Sequence, residues 1–319
     1  MKQIGKRLIE AAVFLGLLGV SLFGLSLLFH PKDNREDYGM DEMKANGILA
    51  EPENSIDVVA LGDSECALAI SPMVMWREAG IAAYNCGTAG ESLYETCGYL
   101  RQALERQKPR LVILETNVIF KECRLEDYLF AKLSQLIPAL RYHDRWKSLR
   151  AEDLGPVDYT WQDPYRGYMF YSEIVPANVE EYMFPSSDVR RIARWGKKCL
   201  DEIVNMCREA GAQLVLVSTP SALNWSYPNH NGIQALADEY GLTYVDMNLL
   251  GDELGIDWNT DTKDQGDHMN CFGAEKVSKW LAGWLKNNFD LPDHRGEAAY
   301  SRWDDDLKTY EAEWEKVSS

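Results

Sequence analysis

The longest apolar run in the chain lies near its N-terminus. Residues 8–29 carry a single charge, on Glu10, and otherwise consist almost entirely of Leu, Val, Phe, Ala and Gly. A helix of this length just crosses a hydrocarbon core of about 30 Å. Because no polar face recurs at helical spacing, a buried amphipathic helix is disfavoured. The pattern therefore predicts a transmembrane helix.

The flanks of this run favour an uncleaved anchor over a signal peptide. A signal peptide has a shorter apolar core and a small-x-small cleavage site, whereas this run continues directly into residues 30–32, His-Pro-Lys. The short N-terminus carries Lys2, Lys6 and Arg7, while the following flank mixes both signs of charge. By the positive-inside rule, we expect residues 1–30 to form a cytoplasmic tip and single-pass cell-membrane anchor, with the rest on the extracytoplasmic side. We expect the polar residues 31–55 to be a tether.

From residue 56 onward, short apolar runs alternate with helical patterns. The apolar runs indicate strands at residues 56–61, 81–84, 111–114, 214–217 and 243–245. The helical patterns cover residues 91–107, 188–211, 233–240 and 273–287, with Asp188 as the expected N-cap of the second. Short apolar strands separated by helices predict a flavodoxin-like three-layer α/β/α fold around a parallel sheet of about five strands.

Two segments depart from this alternation. Residues 120–187 are rich in Tyr, Trp and Phe. We interpret them as an insertion in a domain of residues 56–290, packing over the sheet or roofing its site. Residues 291–319 are an acidic tail, expected to be a solvated helix or disordered.

The charge balance excludes one class of partner. The chain has 33 Lys plus Arg against 50 Asp plus Glu, a formal net charge of −17. Nucleic-acid affinity comes mainly from Lys and Arg that neutralise phosphates. We therefore expect no nucleic-acid partner.

The cysteines give no metal or disulfide signature. Seven are present, none in a CxxC pair, and an odd number cannot all pair within one chain. We expect no metal site and interpret most of these cysteines as small buried hydrophobic residues.

A candidate nucleophile directly follows the first predicted strand. Gly62, Asp63 and Ser64 place a hydroxyl at the carboxyl end of that strand, where parallel α/β folds bind ligands. A serine there can act as a nucleophile if a histidine reaches it and backbone amides face the attacked carbonyl. The alternative is a turn serine that caps the next helix.

A candidate general base lies before the last predicted helix. His268 can converge with Ser64 across the sheet, and a carboxylate at its Nδ1 would fix the tautomer while Nε2 takes the serine proton. Asp264 and Asp267 are both near enough in sequence, and Asp264 is favoured because adjacent residues on a strand point apart. The other histidines lack such a setting in the sequence; His143 is the only competitor, and we expect a structural role for it.

With these residues, the chain resembles the SGNH/GDSL hydrolase superfamily, and within it the membrane-anchored extracytoplasmic branch of DltD-like and alginate-acetylation-like proteins. The resemblance covers about residues 56–120 and 188–288 and implies the SGNH hydrolase fold. Gly62-Asp63-Ser64 is similar to the turn with the nucleophile, and the region of His268 is similar to the DxxH-type block. In that block the carboxylate stands three residues before the histidine, a position that Gln265 occupies here.

The resemblance also implies an oxyanion hole. One donor would be the Ser64 amide, and a second would be a glycine amide after the second strand, for which we choose Gly90 with Gly87 as the rival. A third donor would be Asn117, although residues 114–117 lack the glycine of the family's GxND motif. Losing one such donor typically costs about a hundredfold in rate.

Together these features imply a membrane-anchored extracytoplasmic serine esterase or O-acyltransferase. The resemblance implies that it would act on acyl, by expectation acetyl, esters of cell-envelope glycans through Ser64, His268 and Asp264, without a cofactor. The lipid bilayer around residues 8–29 and a membrane-bound O-acyltransferase are the implied partners, and the acidic composition favours a neutral glycan ester over a polyanion. The departures at Gln265 and in the GxND motif motivate an alternative, a catalytically inactive envelope-binding or assembly protein with the same fold.

Overall fold

The structure, a computed structural model, describes residues 2–318 of the chain. Its α-helices are α1 Lys2–Phe29, α2 Met43–Asn46, α3 Ser64–Ala69, α4 Pro72–Ala79, α5 Leu93–Arg106, α6 Leu125–Leu136, α7 Pro138–Arg141, α8 Arg194–Ala210, α9 Tyr227–Tyr240, α10 Cys271–Asn288 and α11 Ser301–Ser318. Its strands are β1 Val58–Leu61, β2 Ala83–Asn85, β3 Leu111–Glu115, β4 Gln213–Ser218 and β5 Thr243–Asp246.

The five strands form one parallel sheet in the order β2-β1-β3-β4-β5. β1 lies inside the sheet, where Val58 pairs with Ala83 on one side and with Leu111 on the other. This is the flavodoxin-like strand order, in which ligand sites form beyond the carboxyl ends of the strands. The predicted fold class is confirmed, and each strand lies where an apolar run predicted it.

Helices cover both faces of the sheet. On one face, Ala60 and Ile113 pack in a cluster with Leu281 of α10. The neighbouring positions Val59 and Val112 point to the other face and are fully buried. On that side α5 and α8 pack against each other, and they contact β1 and β4, respectively.

Two predicted helix starts are wrong. The helix expected over residues 233–240 begins earlier, at Tyr227, with Pro228 in its first turn. The helix expected from Asp188 begins at Arg194, and its N-cap is Ala193. The residues before Ala193 are hydrogen-bonded to α9 instead. The Arg190 N–H donates to the Pro228 carbonyl at 2.8 Å, and Asn231 Nδ2 donates to the Asp188 carbonyl at 2.8 Å. These tertiary hydrogen bonds keep the segment extended.

The chain divides into two compact units. The anchor unit comprises residues up to Met43 together with Leu125–Trp161, and the sheet unit comprises Lys44–Arg124 and the chain from Gln162 onward. This division cuts the predicted insertion of residues 120–187: most of its first part belongs with α1, and its second part belongs with the sheet.

The anchor unit is built on the N-terminal helix. The most apolar 18-residue stretch of Gln3–Phe29 has a mean hydropathy of 2.4, and the helix is, by length and composition, able to cross a membrane. The last carbonyls of a helix lack intrahelical partners. Here Lys32 Nζ donates to the Leu27 carbonyl at 2.6 Å, and the buried Arg145 donates to the Phe29 carbonyl at 2.8 Å.

The acidic C-terminal segment is partly buried rather than solvated. It forms α11, which packs against α4 and buries Trp303 and Tyr310. The Trp303 ring lies 5.1 Å from that of Trp76, whose Nε1 donates to Asp304 at 3.1 Å. The tail is a helix, which was one of the two expectations, and only one of its sides is buried, because these aromatic side chains anchor it.

All seven cysteines are buried free thiols. Burial raises the pKa of Cys207 and of Cys271 to about 12. The expectation of small buried hydrophobic residues is confirmed.

Candidate active site

A strained turn presents Ser64 at the carboxyl end of β1. Gly62 has φ +149°, and a Cβ there would approach Glu115 Cβ to 2.8 Å, so the turn requires glycine. The Asp63 carboxylate accepts the Glu65 N–H at 3.2 Å and caps α3, whose first residue is Ser64.

The loop before α10 brings His268 to this hydroxyl. His268 Nε2 lies 2.7 Å from Ser64 Oγ, and His268 Nδ1 lies 2.7 Å from Asp264 Oδ2. The backbone N–H of His268 also donates to Asp264 Oδ1 at 2.7 Å. A continuous hydrogen-bonded chain therefore runs from hydroxyl to imidazole to carboxylate, and the acceptor at Nδ1 favours the tautomer in which Nε2 is free to accept the serine proton.

Asp267, the rival carboxylate, is placed differently. Its Oδ2 lies 3.6 Å from His268 Nδ1, beyond hydrogen-bond distance, and its Oδ1 accepts a hydrogen bond from Asn224. The geometry thus brings Asp264, and not Asp267, onto the imidazole.

An unusual backbone accommodates the four-residue spacing between Asp264 and His268. Gln265 and Gly266 both have positive φ, +63° and +92°. A Cβ at Gly266 would approach Ala222 Cβ to 2.7 Å, so a larger residue does not fit there. The extra residue is absorbed in this left-handed turn, and the carboxylate still reaches Nδ1.

The second part of the predicted insertion supports the histidine loop. The Val175 carbonyl accepts the Gln265 N–H at 3.3 Å, and the Glu173 carbonyl accepts from Asn270 Nδ2 at 3.0 Å. The segment around residues 173–175 is therefore hydrogen-bonded to the histidine loop on both sides of His268.

The electrostatics around Asp264 favour its charged form. Burial alone would raise the pKa of this carboxyl, but hydrogen bonds from the side chain and backbone of His268 hold it below its ordinary value. Lys263 Nζ, 3.3 Å from Asp264 Oδ2, adds a positive charge on the same side.

Glu65 is a site residue that the sequence reasoning missed. Its Oε2 accepts from Ser64 Oγ at 3.3 Å and lies 3.8 Å from His268 Nε2. Only 3% of the residue is exposed, and burial, followed by the negative charge of Asp63, raises the pKa of Glu65 to about 8. The only available signal was its position next to Ser64, since a glutamate in the first turn of a helix is ordinary.

Other carboxyl groups lie buried behind the serine. Asp63 is fully buried, and its Oδ2 is 2.6 Å from Lys121 Nζ and 2.9 Å from Asn117 Nδ2. Burial, with the charges of Asp63 and Glu65, raises the pKa of Glu115 well above its ordinary value. Lys121 balances the charge of Asp63, while burial disfavours the charged form of Glu115.

The oxyanion-hole candidates differ in how their donors are used. The Gly87 N–H donates to Asn85 Oδ1 at 2.9 Å, so the rival glycine is engaged. Gly90, with φ +74°, is exposed, and its N–H donates to no acceptor among residues 2–318. Asn117 is tethered by Asp63, which leaves the second hydrogen of its side-chain amide to donate elsewhere. The Ser64 N–H lies at the first position of α3.

Two other histidines have carboxylate partners, contrary to expectation. His230 Nδ1 lies 2.9 Å from Asp246, and His294 Nε2 lies 2.7 Å from Asp57. Neither pair has a serine hydroxyl on its remaining nitrogen among the described residues, so these pairs are structural. His143 is exposed, and its Nδ1 lies 3.1 Å from a carbonyl of its own helical segment.

Three donors at the site are close enough to share a cation. Oxygen or nitrogen atoms of Glu65, Asp267 and His268 lie within 4.8 Å of one another. The His268 Nε2 already contacts Ser64, and Glu65 holds a proton at neutral pH. This arrangement suits proton transfer better than metal binding.

Neither a protein-family model nor a curated protein matches this sequence. Among solved structures, the chain is similar to a lipase/acylhydrolase from Enterococcus faecalis, with 13% identity, a TM-score of 0.40, and coverage of 74% of this chain and 99% of that one. It is also similar to a putative lipolytic protein of the G-D-S-L family from Desulfitobacterium hafniense, with 12% identity, a TM-score of 0.41, and coverage of 72% and 99%. These values are too low to assign an activity to this chain.

Proposed function

We propose that this chain is a serine esterase or O-acyltransferase of the SGNH/GDSL type, held at the cell membrane by α1 with its site on the extracytoplasmic side. Its substrates would be acyl esters, by expectation acetyl esters, of cell-envelope glycans. The observation that carries the catalytic part is the hydrogen-bonded chain of Ser64, His268 and Asp264.

The mechanism follows from that chain. Ser64 Oγ attacks the ester carbonyl while His268 Nε2 takes its proton, and the ionised Asp264 stabilises the resulting imidazolium. The imidazolium then protonates the leaving alcohol. In the second half of the reaction, His268 deprotonates water or a sugar hydroxyl, which attacks the acyl-enzyme. The ester bond to Ser64 Oγ then breaks, and the imidazolium returns the proton to Oγ.

The oxyanion would be held by the amides of Ser64 and Gly90 and by the Asn117 side chain. The free N–H of Gly90 and the tether between Asn117 and Asp63 support this assignment. Gly90 follows β2 and Asn117 follows β3, and these two strands flank β1, which carries the Ser64 turn.

The substrate class rests on the resemblance and on charge. A chain with a net charge of −17 repels polyanions, so a neutral glycan ester is the better partner for the site. Where the acyl group is transferred to a sugar, a membrane-bound O-acyltransferase would supply it.

A chromogenic short-chain ester tests the catalytic proposal. We expect Ser64→Ala to abolish the activity of the purified full chain, with Ser187→Ala, at an exposed serine, as the matched control. Equal activity in wild type and Ser64→Ala would favour the inactive binding protein instead.

Envelope chemistry tests the substrate class. Deleting the protein should change the O-acyl content of an envelope glycan, measured by mass spectrometry after enzymatic release, and Ser64→Ala should fail to restore it. Unchanged acylation in the deletion would overturn the substrate class while leaving the esterase assay intact.

A further inference from the structure

The anchor unit carries an unpartnered apolar helix face. Leu125, Leu129, Leu133 and Leu136 recur along one side of α6, and they are between 42% and 80% exposed. We call these four residues the α6 face. A monomeric soluble protein seldom exposes such an apolar stripe to solvent, so we expect another apolar surface to contact this face.

The α6 face continues into a groove against α1. Leu136 and Ile137 line one wall, and Gly19, Leu22 and Phe23 line the other, around a volume of about 440 Å³. Gly19 lies about 15 Å along the helix from Phe29, the end of the apolar span. If α1 crosses the bilayer, the groove therefore lies within the outer half of a hydrocarbon core of about 30 Å.

In the turn between α6 and α7, the backbone N–H groups are hydrogen-bonded within the protein, as a nonaqueous environment requires. The Ile137 N–H donates to the Leu133 carbonyl at 2.8 Å, and the Leu140 N–H donates to the Ile137 carbonyl at 2.9 Å. The Ala139 N–H donates to the Ser26 hydroxyl at 3.2 Å, and Pro138 has no N–H. No backbone donor of residues 137–140 is left to water, as is necessary in lipid.

We propose that residues 125–138 enter the outer leaflet, and that lipid acyl chains cover the α6 face and fill the groove beside α1. This rests on the membrane anchoring in the proposed function. α6 carries Glu126, Asp127 and Lys132, so it has no excess of cations to attract anionic lipid. Insertion would be driven by apolar area and is expected in vesicles of neutral lipid.

Site-directed labelling of the full chain in phosphatidylcholine vesicles tests the proposal. An environment-sensitive fluorophore is attached to Leu136→Cys or Leu133→Cys on the face, and to Gln135→Cys, an exposed position outside the apolar stripe. The native thiols are all buried, so the labelled wild type gives the background. Phe14→Cys, in the middle of α1, reports the anchor itself.

We expect nitroxide-bearing acyl chains to quench the labels at Leu136 and Leu133 several-fold more than the label at Gln135, and iodide to show the reverse order. Iodide quenching at Leu136 equal to that at Gln135, with the Phe14 label still in lipid, would overturn the inference and leave the anchor standing. A Phe14 label that iodide reaches would overturn both. Labels on the face shielded from lipid and from iodide would mean that protein covers it, which also overturns the proposal.

Discussion

Carboxyls in two regions of the site have opposite electrostatic environments. At the end of β1, Glu65 and Glu115 are buried and their pKa values are raised, that of Glu65 to about 8. In the loop before α10, the Asp264 side chain is 31% exposed, and hydrogen bonds from His268 hold its pKa below the ordinary value. At neutral pH Glu65 holds a proton, and Asp264 carries charge.

The difference shows how position assigns each carboxyl its role. Asp264 lies on the side of the imidazole away from the serine, where a negative charge stabilises the imidazolium. Glu65 lies beside Ser64 Oγ, where a negative charge would compete with His268 for the serine proton. Burial keeps Glu65 neutral, so the same functional group, a carboxyl, assists His268 at one position and does not compete with it at the other.

The most severe way to break the contrast is to remove the charged carboxylate. Asp264→Asn should lower kcat by about 10⁴-fold, because the amide no longer stabilises the imidazolium and can impose the wrong tautomer. Steady-state kinetics on the chromogenic ester measure this.

Asp267→Asn is the matched control. It removes a charge of the same sign from the neighbouring position without touching a hydrogen bond of Nδ1. A larger loss in Asp267→Asn than in Asp264→Asn would transfer the role to Asp267.

The donors behind the serine give the next largest effect. Asn117→Ala should lower kcat by about a hundredfold with little change in KM, because it removes the proposed oxyanion donor. Asn287→Ala, at an exposed helix position, is the control. A loss confined to KM would instead indicate that Asn117 binds the substrate in its ground state.

The raised pKa of Glu65 leads us to expect a pH dependence of kcat/KM. As pH rises through about 8, Glu65 ionises and becomes a stronger acceptor for the Ser64 hydroxyl, so kcat/KM of the wild type should fall by about tenfold. Glu65→Gln, which mimics the neutral form, should retain its activity to higher pH. A falling limb near pH 8 that persists unchanged in Glu65→Gln would remove Glu65 as its source.

The smallest effect is on stability. The folded chain binds the Glu65 proton more tightly than the unfolded chain, so the free energy of unfolding falls as pH rises from about 4.5 to about 8. Glu65→Gln should therefore raise Tm relative to the wild type at pH 8, with a smaller difference at pH 5. Thermal unfolding at the two pH values tests this, and an equal difference at both would contradict the raised pKa.

The sequence predicted the sheet and the meeting of Ser64 with His268, because both depend on local patterns. Apolar runs mark parallel strands, and residues that follow such strands meet at one edge of the sheet. The order of strands and helices then places a histidine just before α10 at that same edge of the sheet.

Features that depend on several distant segments were not predictable. The raised pKa of Glu65 requires burial and the charge of Asp63 together, and neither is visible from the glutamate itself. The reach of Asp264 depends on a positive φ at Gln265, a conformation that glutamine seldom adopts. The start of α8 at Arg194 depends on hydrogen bonds from α9, which propensity does not reveal.

The seven buried cysteines bear on how the fold responds to redox conditions. All seven are free thiols, so reducing agents should leave the folded chain unchanged. Burial shields all seven from oxidants, and it raises the pKa of Cys207 and of Cys271 to about 12. The folded state of this chain therefore does not depend on the redox potential of its surroundings.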